Sequence, residues 1–264
     1  MAARQQLAIL ALLAAGAPAT AQQLEPEQAS LLEQAREAAL QYSASLPDFL
    51  CTEVVRRMDV QRRRGLGGLD TLTVDDTLTV KLSYFGHRED YKLMEIDGKP
   101  TLLKYEFVAG AVSTGEFGTR LSSVFGPGSH ADFRWKGWAT LRGRRVARYS
   151  YRIARENSNY QLGYGAWVIT VAYHGDVYVD EETHMAPRLT LRAEIPHGFP
   201  IHANDSSVDY EFAEVGGKRY LLPSHATSTA KYATYVTENS VEFREYRKFQ
   251  AESSVTFSDP PEKK

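Results

Sequence analysis

TLTVDDTLTVKLSY, residues 71–84, alternates with a period of two. Its even positions, Leu72, Val74, Leu78, Val80, Leu82 and Tyr84, are apolar, with Asp76 the one exception. Its odd positions are Thr, Asp, Lys and Ser. Successive side chains on a strand point to opposite faces, so the pattern predicts a long antiparallel strand with one face buried and one wet. Upstream the period is helical. Leu24, Leu31, Leu32, Ala35, Ala39, Tyr42 and Leu46 recur at near-helical spacing over residues 25–46, with Pro26 in the first turn and Pro47 as the stop.

Downstream the strand period returns between turn signals. Ile96-Asp97-Gly98-Lys99 predicts a hairpin whose second arm is 102–108, and Arg142-Gly143-Arg144 predicts another between 133–141 and 146–153. Further strands are expected at 168–173, 177–179, 189–195 and 208–215. The last of these turns at Gly216-Gly217 into 220–222, and later strands reach about residue 257. One segment breaks the series. In 113–125 (STGEFGTRLSSVF), Phe117, Leu121, Val124 and Phe125 fall on one helical face, and Gly126-Pro127-Gly128 ends the run. No linker or repeat divides residues 22–258, which predicts a single α+β domain dominated by antiparallel sheet. A disordered tail is expected at 259–264.

The chain has 264 residues, a formal net charge of −2 and one cysteine. Near-neutral charge argues against a nucleic-acid partner, and a lone cysteine excludes a disulfide framework and multi-cysteine zinc sites. Arg4, the apolar run 7–15 and Ala19-Thr20-Ala21 read as a secretory signal peptide, residues 1–21, too short to remain as a membrane span. The mature chain is therefore expected to be exported, to the periplasm of a Gram-negative source or otherwise outside the cell, with no transmembrane span. Cys51, thirty residues beyond the cleavage point, is no lipid-attachment cysteine and reads as a buried packing residue.

Chemistry-bearing patterns are sparse. There is no G-x-S-x-G elbow, H-E-x-x-H helix, P-loop or dinucleotide fingerprint, so neither an enzyme nor a cofactor is expected. His174 and Asp176 share a strand face but read as ordinary strand and loop residues rather than metal ligands. Ser129 and His130, adjacent in sequence, make a poor nucleophile–base pair. The arginine clusters at 56–64 and 142–152 read as exposed strand faces that blunt edge pairing, or as a patch for a polyanion or anionic headgroup. Aromatic residues crowd the central third, among them Trp135, Trp138, Tyr149, Tyr151, Tyr160 and Tyr173. Under a short apolar helix they make a core or a lidded pocket, with core the default.

A C-terminal rhythm narrows the field. Gly175-Asp176-Val177-Tyr178-Val179-Asp180-Glu181-Glu182-Thr183 is followed by Pro187-Arg188-Leu189, then Val208-Asp209-Tyr210, then Gly217-Lys218-Arg219-Tyr220-Leu221-Leu222-Pro223. With the helix–strands–helix–strands order, this resembles the LolA-like (lipoprotein-localisation-factor-like) superfamily of exported bacterial proteins. Leu46-Pro47-Asp48-Phe49-Leu50-Cys51 is similar to a segment of acidobacterial exported proteins. The resemblance implies a curved antiparallel sheet or incomplete β-barrel, with the N-terminal helix and the short mid-chain helix packed on its concave face. It also implies an apolar or amphipathic, lipid-like ligand held there, such as a lipid or a lipoprotein acyl chain. The candidate ligand-binding residues are Phe117, Leu121, Val124 and Phe125 on the helix, with Trp135 and Trp138 on the opposite wall. The alternatives are an envelope module that binds another protein without a ligand, and, behind it, a hydrolase.

Overall fold

A computed structural model describes residues 24–61, 71–86, 88–108 and 118–249. Helix α1 (Pro26–Ser45) leads into strands β1 (Phe49–Gln61), β2 (Thr71–Phe85), β3 (Arg88–Ile96) and the two-residue β4 (Lys99–Pro100). Helix α2 (Gly118–Phe125) follows, then β5 (Asp132–Leu141), β6 (Arg144–Ile153), β7 (Gln161–Tyr164) and β8 (Trp167–Thr170). The chain continues through β9 (Ala172–Asp180), β10 (Arg188–Glu194), β11 (Ile201–Val215), β12 (Lys218–Tyr232) and β13 (Tyr235–Lys248). Eleven strands make one sheet in the order β4-β3-β2-β1-β13-β12-β11-β10-β9-β6-β5, unclosed at β4 and β5, while β7 and β8 form a separate ribbon. This is the incomplete antiparallel barrel around two helices that the resemblance implies.

The strand at 71–84 sits near one end of that sheet, and its alternation holds over 75–84. Leu78, Val80, Leu82 and Tyr84 face inward, opposite Val55, Glu53, Cys51 and Phe49 of β1. Asp76, the exception in the pattern, also faces its β1 neighbour, Arg57, and there finds a partner. The Arg57 guanidinium donates from Nε to Oδ1 at 2.8 Å and from Nη2 to Oδ2 at 2.6 Å. Cys51 is buried, and burial pushes its thiol well above the usual range, so it stays a protonated packing residue.

Both helices pack into the concave face. Leu32, Ala35, Ala39 and Tyr42 of α1 join Leu121, Val124 and Phe125 of α2 in one core with the inner residues of the sheet. Two bonds fix α1: Arg36 Nη1 donates to the Phe125 carbonyl at 3.1 Å, and the Tyr149 hydroxyl donates to the Gln28 carbonyl at 2.7 Å.

Two strand expectations fail locally. The arm expected at 102–108 pairs only through Lys99 and Pro100, then turns into a 3-10 helix at Tyr105–Phe107. The Thr101 N–H still donates to the Met94 carbonyl at 3.0 Å, and beyond it the chain leaves the sheet edge. The strand expected at 168–173 is divided: Val168–Thr170 belong to the β7–β8 ribbon, and Ala172 and Tyr173 begin β9. The hairpin at 142–144 forms as read. Arg142 and Gly143 both have positive φ (49° and 76°), which a two-residue turn matched to the strand twist requires.

The arginines of 142–152 lie in a network of carboxylates. Asp180, 3% exposed, accepts from Arg144 at 2.5 and 2.7 Å and from the Thr183 N–H and hydroxyl at 2.9 Å each. These bonds, Arg144 first, hold its carboxyl down at about 2 against the opposing effect of burial. Glu194 and Asp209 are lowered too; Arg152 bonds do this for Glu194, and Arg188 bonds outweigh burial at Asp209. A carboxylate lowered in the folded state stabilises it above the unfolded carboxylate range, and that contribution disappears as pH falls through the folded value. Unfolding free energy is therefore expected to be flat from neutral pH to about 5 and to fall steadily towards pH 2. In a urea titration series, Asp180→Asn should remove about 2 kcal/mol of that acid-dependent loss.

Candidate binding site

Helix α2 is short, and its ends explain its position. Gly126 closes it through an N–H bond to the Ser122 carbonyl at 2.8 Å; a Cβ at Gly126 would lie 2.4 Å from that same oxygen. The Ser129 hydroxyl sits 2.9 Å from the Val124 carbonyl and 2.8 Å from the Gly126 carbonyl, holding the buried helix end. Ser129 thus has a structural duty, and the neighbouring His130 is exposed in the left-handed region.

Leu121, Val124 and Phe125 are buried between α1 and the sheet, and Phe125 stacks on Phe133 at 5.7 Å. Phe117 lies outside the described residues. Trp135 and Trp138 are brought to the same sheet face by a bulge at Lys136–Gly137, because Trp135 pairs with Tyr149 and Trp138 with Ala147. Their rings meet edge-on at 5.3 Å, Trp135 also meets Tyr149 edge-on at 5.1 Å, and the Arg145 guanidinium covers Trp138 at 3.8 Å. Trp138 remains 45% exposed at the open edge of the sheet.

A cavity of about 260 Å³ opens along the other flank of α2. Val124, Tyr173, Leu189 and Leu191 supply its apolar surface, and Thr119, Arg120, Asn159 and Gln161 supply polar groups. Of the five described candidate residues, Val124 is the one that lines it. The remaining wall comes from β9 and β10, where Tyr173 and the Leu189-x-Leu191 alternation resemble any half-buried strand. The available sequence signal was Arg120, a cation set among the residues of an otherwise uncharged helix, GTRLSSVF.

Three polar contacts hold α2 over this cavity. Arg120 Nη1 donates to Ser206 Oγ at 3.0 Å, Asn159 Nδ2 donates to Ser123 Oγ at 2.9 Å, and the Tyr173 hydroxyl donates to the Ser123 carbonyl at 3.3 Å. Burial pushes the Tyr173 phenol up to about 12 while the Arg120 charge pulls it down, so it remains a neutral donor at physiological pH. Arg120 is the one charged residue among the described lining, and no carboxylate shares the cavity with it. Such a lining can bury an alkyl chain and present a cation to an acidic or polar head.

His174 and Asp176 are on the opposite face. His174 Nδ1 lies 3.3 Å from Glu194 Oε1, and Asp176 receives Arg148 Nη2 at 2.7 Å. Among the described residues no group of three or more His, Cys, Asp and Glu side chains is arranged to hold a metal ion. No described helix is long and apolar enough to cross a membrane.

No family model matches the chain, and no curated protein matches it significantly. Solved structures do. The chain is similar to a LolA superfamily protein from Nitrosomonas europaea, with 10% identity over 85% of this chain and 94% of that one, and a TM-score of 0.39. It is also similar to a DUF1329 family protein from Desulfovibrio piger, with 8% identity over 84% and 94% of the two chains and a TM-score of 0.43. At such identities no residue role carries over from either protein.

Proposed function

We propose that this chain is an exported binding protein, not an enzyme, that holds one lipid-like chain between α2 and the inner face of the sheet. The observation that carries this is the cavity beside α2, with its apolar wall, its single cation and its polar rim. Its size sharpens the ligand class. At about 260 Å³ it falls just below the range of roughly 300–1,000 Å³ typical of drug-sized ligands, so it suits one alkyl segment rather than a multi-acyl lipid. Burial of that segment drives binding at roughly 25 cal/mol per Å² of apolar surface. Arg120 orients the head, and the absence of a carboxylate, histidine or cysteine from the described lining favours holding over catalysis.

Thr119, exposed at the cavity mouth, offers the test. Titration of a fluorescent single-chain fatty acid should give saturable binding. Thr119→Trp, which fills the mouth from an exposed position, should weaken it about tenfold or more. Unchanged affinity in that variant would place the probe elsewhere and remove the proposal.

A further inference from the structure

On the outer face of the same sheet lies a larger recess, of about 730 Å³, with a different chemistry. Its floor is a row of polar side chains running across the strands, most of them hydroxyls. Thr227 pairs with Ser207, Ser207 with Thr190, Asp176 with Ser150, and Ser150 with Arg134. The Asp176 N–H joins the two halves of the row by donating to Thr190 Oγ1 at 2.9 Å. The row crosses six strands, so at the usual spacing between neighbours it extends for about 24 Å.

The floor is built differently from the sheet around it. The β9–β10 ladder pairs Val177 with Leu189 and His174 with Arg192, and skips the residues between. There side chains replace the ladder: the Tyr151 hydroxyl donates to the Thr190 carbonyl at 2.8 Å, and Thr190 Oγ1 takes the Asp176 N–H. Gly175 makes this approach feasible, since a Cβ on it would lie 1.9 Å from the Thr190 carbonyl oxygen. The local ladder is given up to form a hydroxyl-lined depression.

Long ionic side chains wall the trough. Arg192 pairs with Asp205 and Arg152 with Glu194 along one side; Arg148 pairs with Asp176 towards the other. Lys136, the extra residue of the β5 bulge, adds an exposed ammonium at the open end. Each of the four arginines of the recess has a carboxylate partner, Arg134 with Asp132 among them, so Lys136 supplies the excess positive charge.

We infer that this trough binds a stretch of acidic, hydroxyl-rich linear polymer, an anionic polysaccharide, laid across the strands. Hydroxyls of the floor serve as donors and acceptors for sugar hydroxyls, and the guanidinium and ammonium groups of the walls meet the acid groups. A peptide is disfavoured because the strand backbones beneath are committed to their own sheet and the described floor offers mainly hydroxyls to its side chains. This recess differs in chemistry from the cavity beside α2, with Leu191 lining both and Ser206, at its edge, accepting the Arg120 bond.

Calorimetric titration of the full chain with sodium polygalacturonate at low salt tests it, with neutral dextran and poly-L-glutamate as comparison probes. Polygalacturonate should bind, weaken as salt is raised, and exceed dextran and poly-L-glutamate by about tenfold or more. Lys136→Glu, on an exposed edge position, should lower that affinity about tenfold. Ser207→Phe, which fills the trough, should abolish it while circular dichroism stays native. Absence of polygalacturonate binding, equal or tighter binding of poly-L-glutamate or dextran, or unchanged affinity in natively folded Lys136→Glu protein would each overturn the inference.

Discussion

Replacing Asp76 by leucine should lower the free energy of unfolding by about 3–5 kcal/mol, read as a reduced urea midpoint at constant slope. Arg57 is 5% exposed on the inner face of β1, and Asp76 meets it with two parallel hydrogen bonds. Desolvation of both charges is costly, and the fork geometry offsets it only while both partners are present. Removing the carboxylate leaves the guanidinium in the barrel interior without its bidentate partner. The double variant Asp76→Leu with Arg57→Met should therefore recover most of the loss, since a well-packed apolar pair escapes the desolvation cost. A double variant no more stable than Asp76→Leu alone would mean that the pair is held by other groups.

Phe125→Ala should cost a similar amount, about 3–5 kcal/mol. Phe125 is 0% exposed, stacks on Phe133, and sits where the Arg36 guanidinium bonds its carbonyl. Truncation leaves a void between α1, α2 and β5 that a rigid sheet cannot collapse to fill. The same change also separates two roles for the apolar face of α2. If that face is core, chemical stability falls; if it chiefly contacts ligand, probe affinity falls while the urea midpoint hardly moves.

The quoted run at 71–84 was enough to read a long half-buried strand, because strict alternation over that length has few alternatives. It could not explain Asp76, whose partner lies nineteen residues earlier on the neighbouring strand. Arg142-Gly143 fixed its hairpin through local backbone preference, whereas Asp97-Gly98 gave a turn without a full second arm, since the chain leaves the edge after Thr101 and turns into a 3-10 helix. At Trp135 and Trp138 a spacing of three implies opposite faces of a regular strand; Gly137 marks the bulge that puts them together. The cavity was harder to read. Its apolar walls, Tyr173, Leu189 and Leu191, have the same pattern as strands that face only core, and volume is a property of how α2 settles rather than of any segment. The outer trough depends on four cross-strand registers, two on each side of the interrupted β9–β10 ladder, which no single stretch of sequence encodes.

Native mass spectrometry of the protein purified from its native source tests the central claim most directly. A bound species with the mass of a single-chain, acid-headed lipid, present on the unaltered chain and lost in Thr119→Trp, is the predicted result. Protein recovered repeatedly without any such adduct, or carrying one that persists in Thr119→Trp, would contradict it.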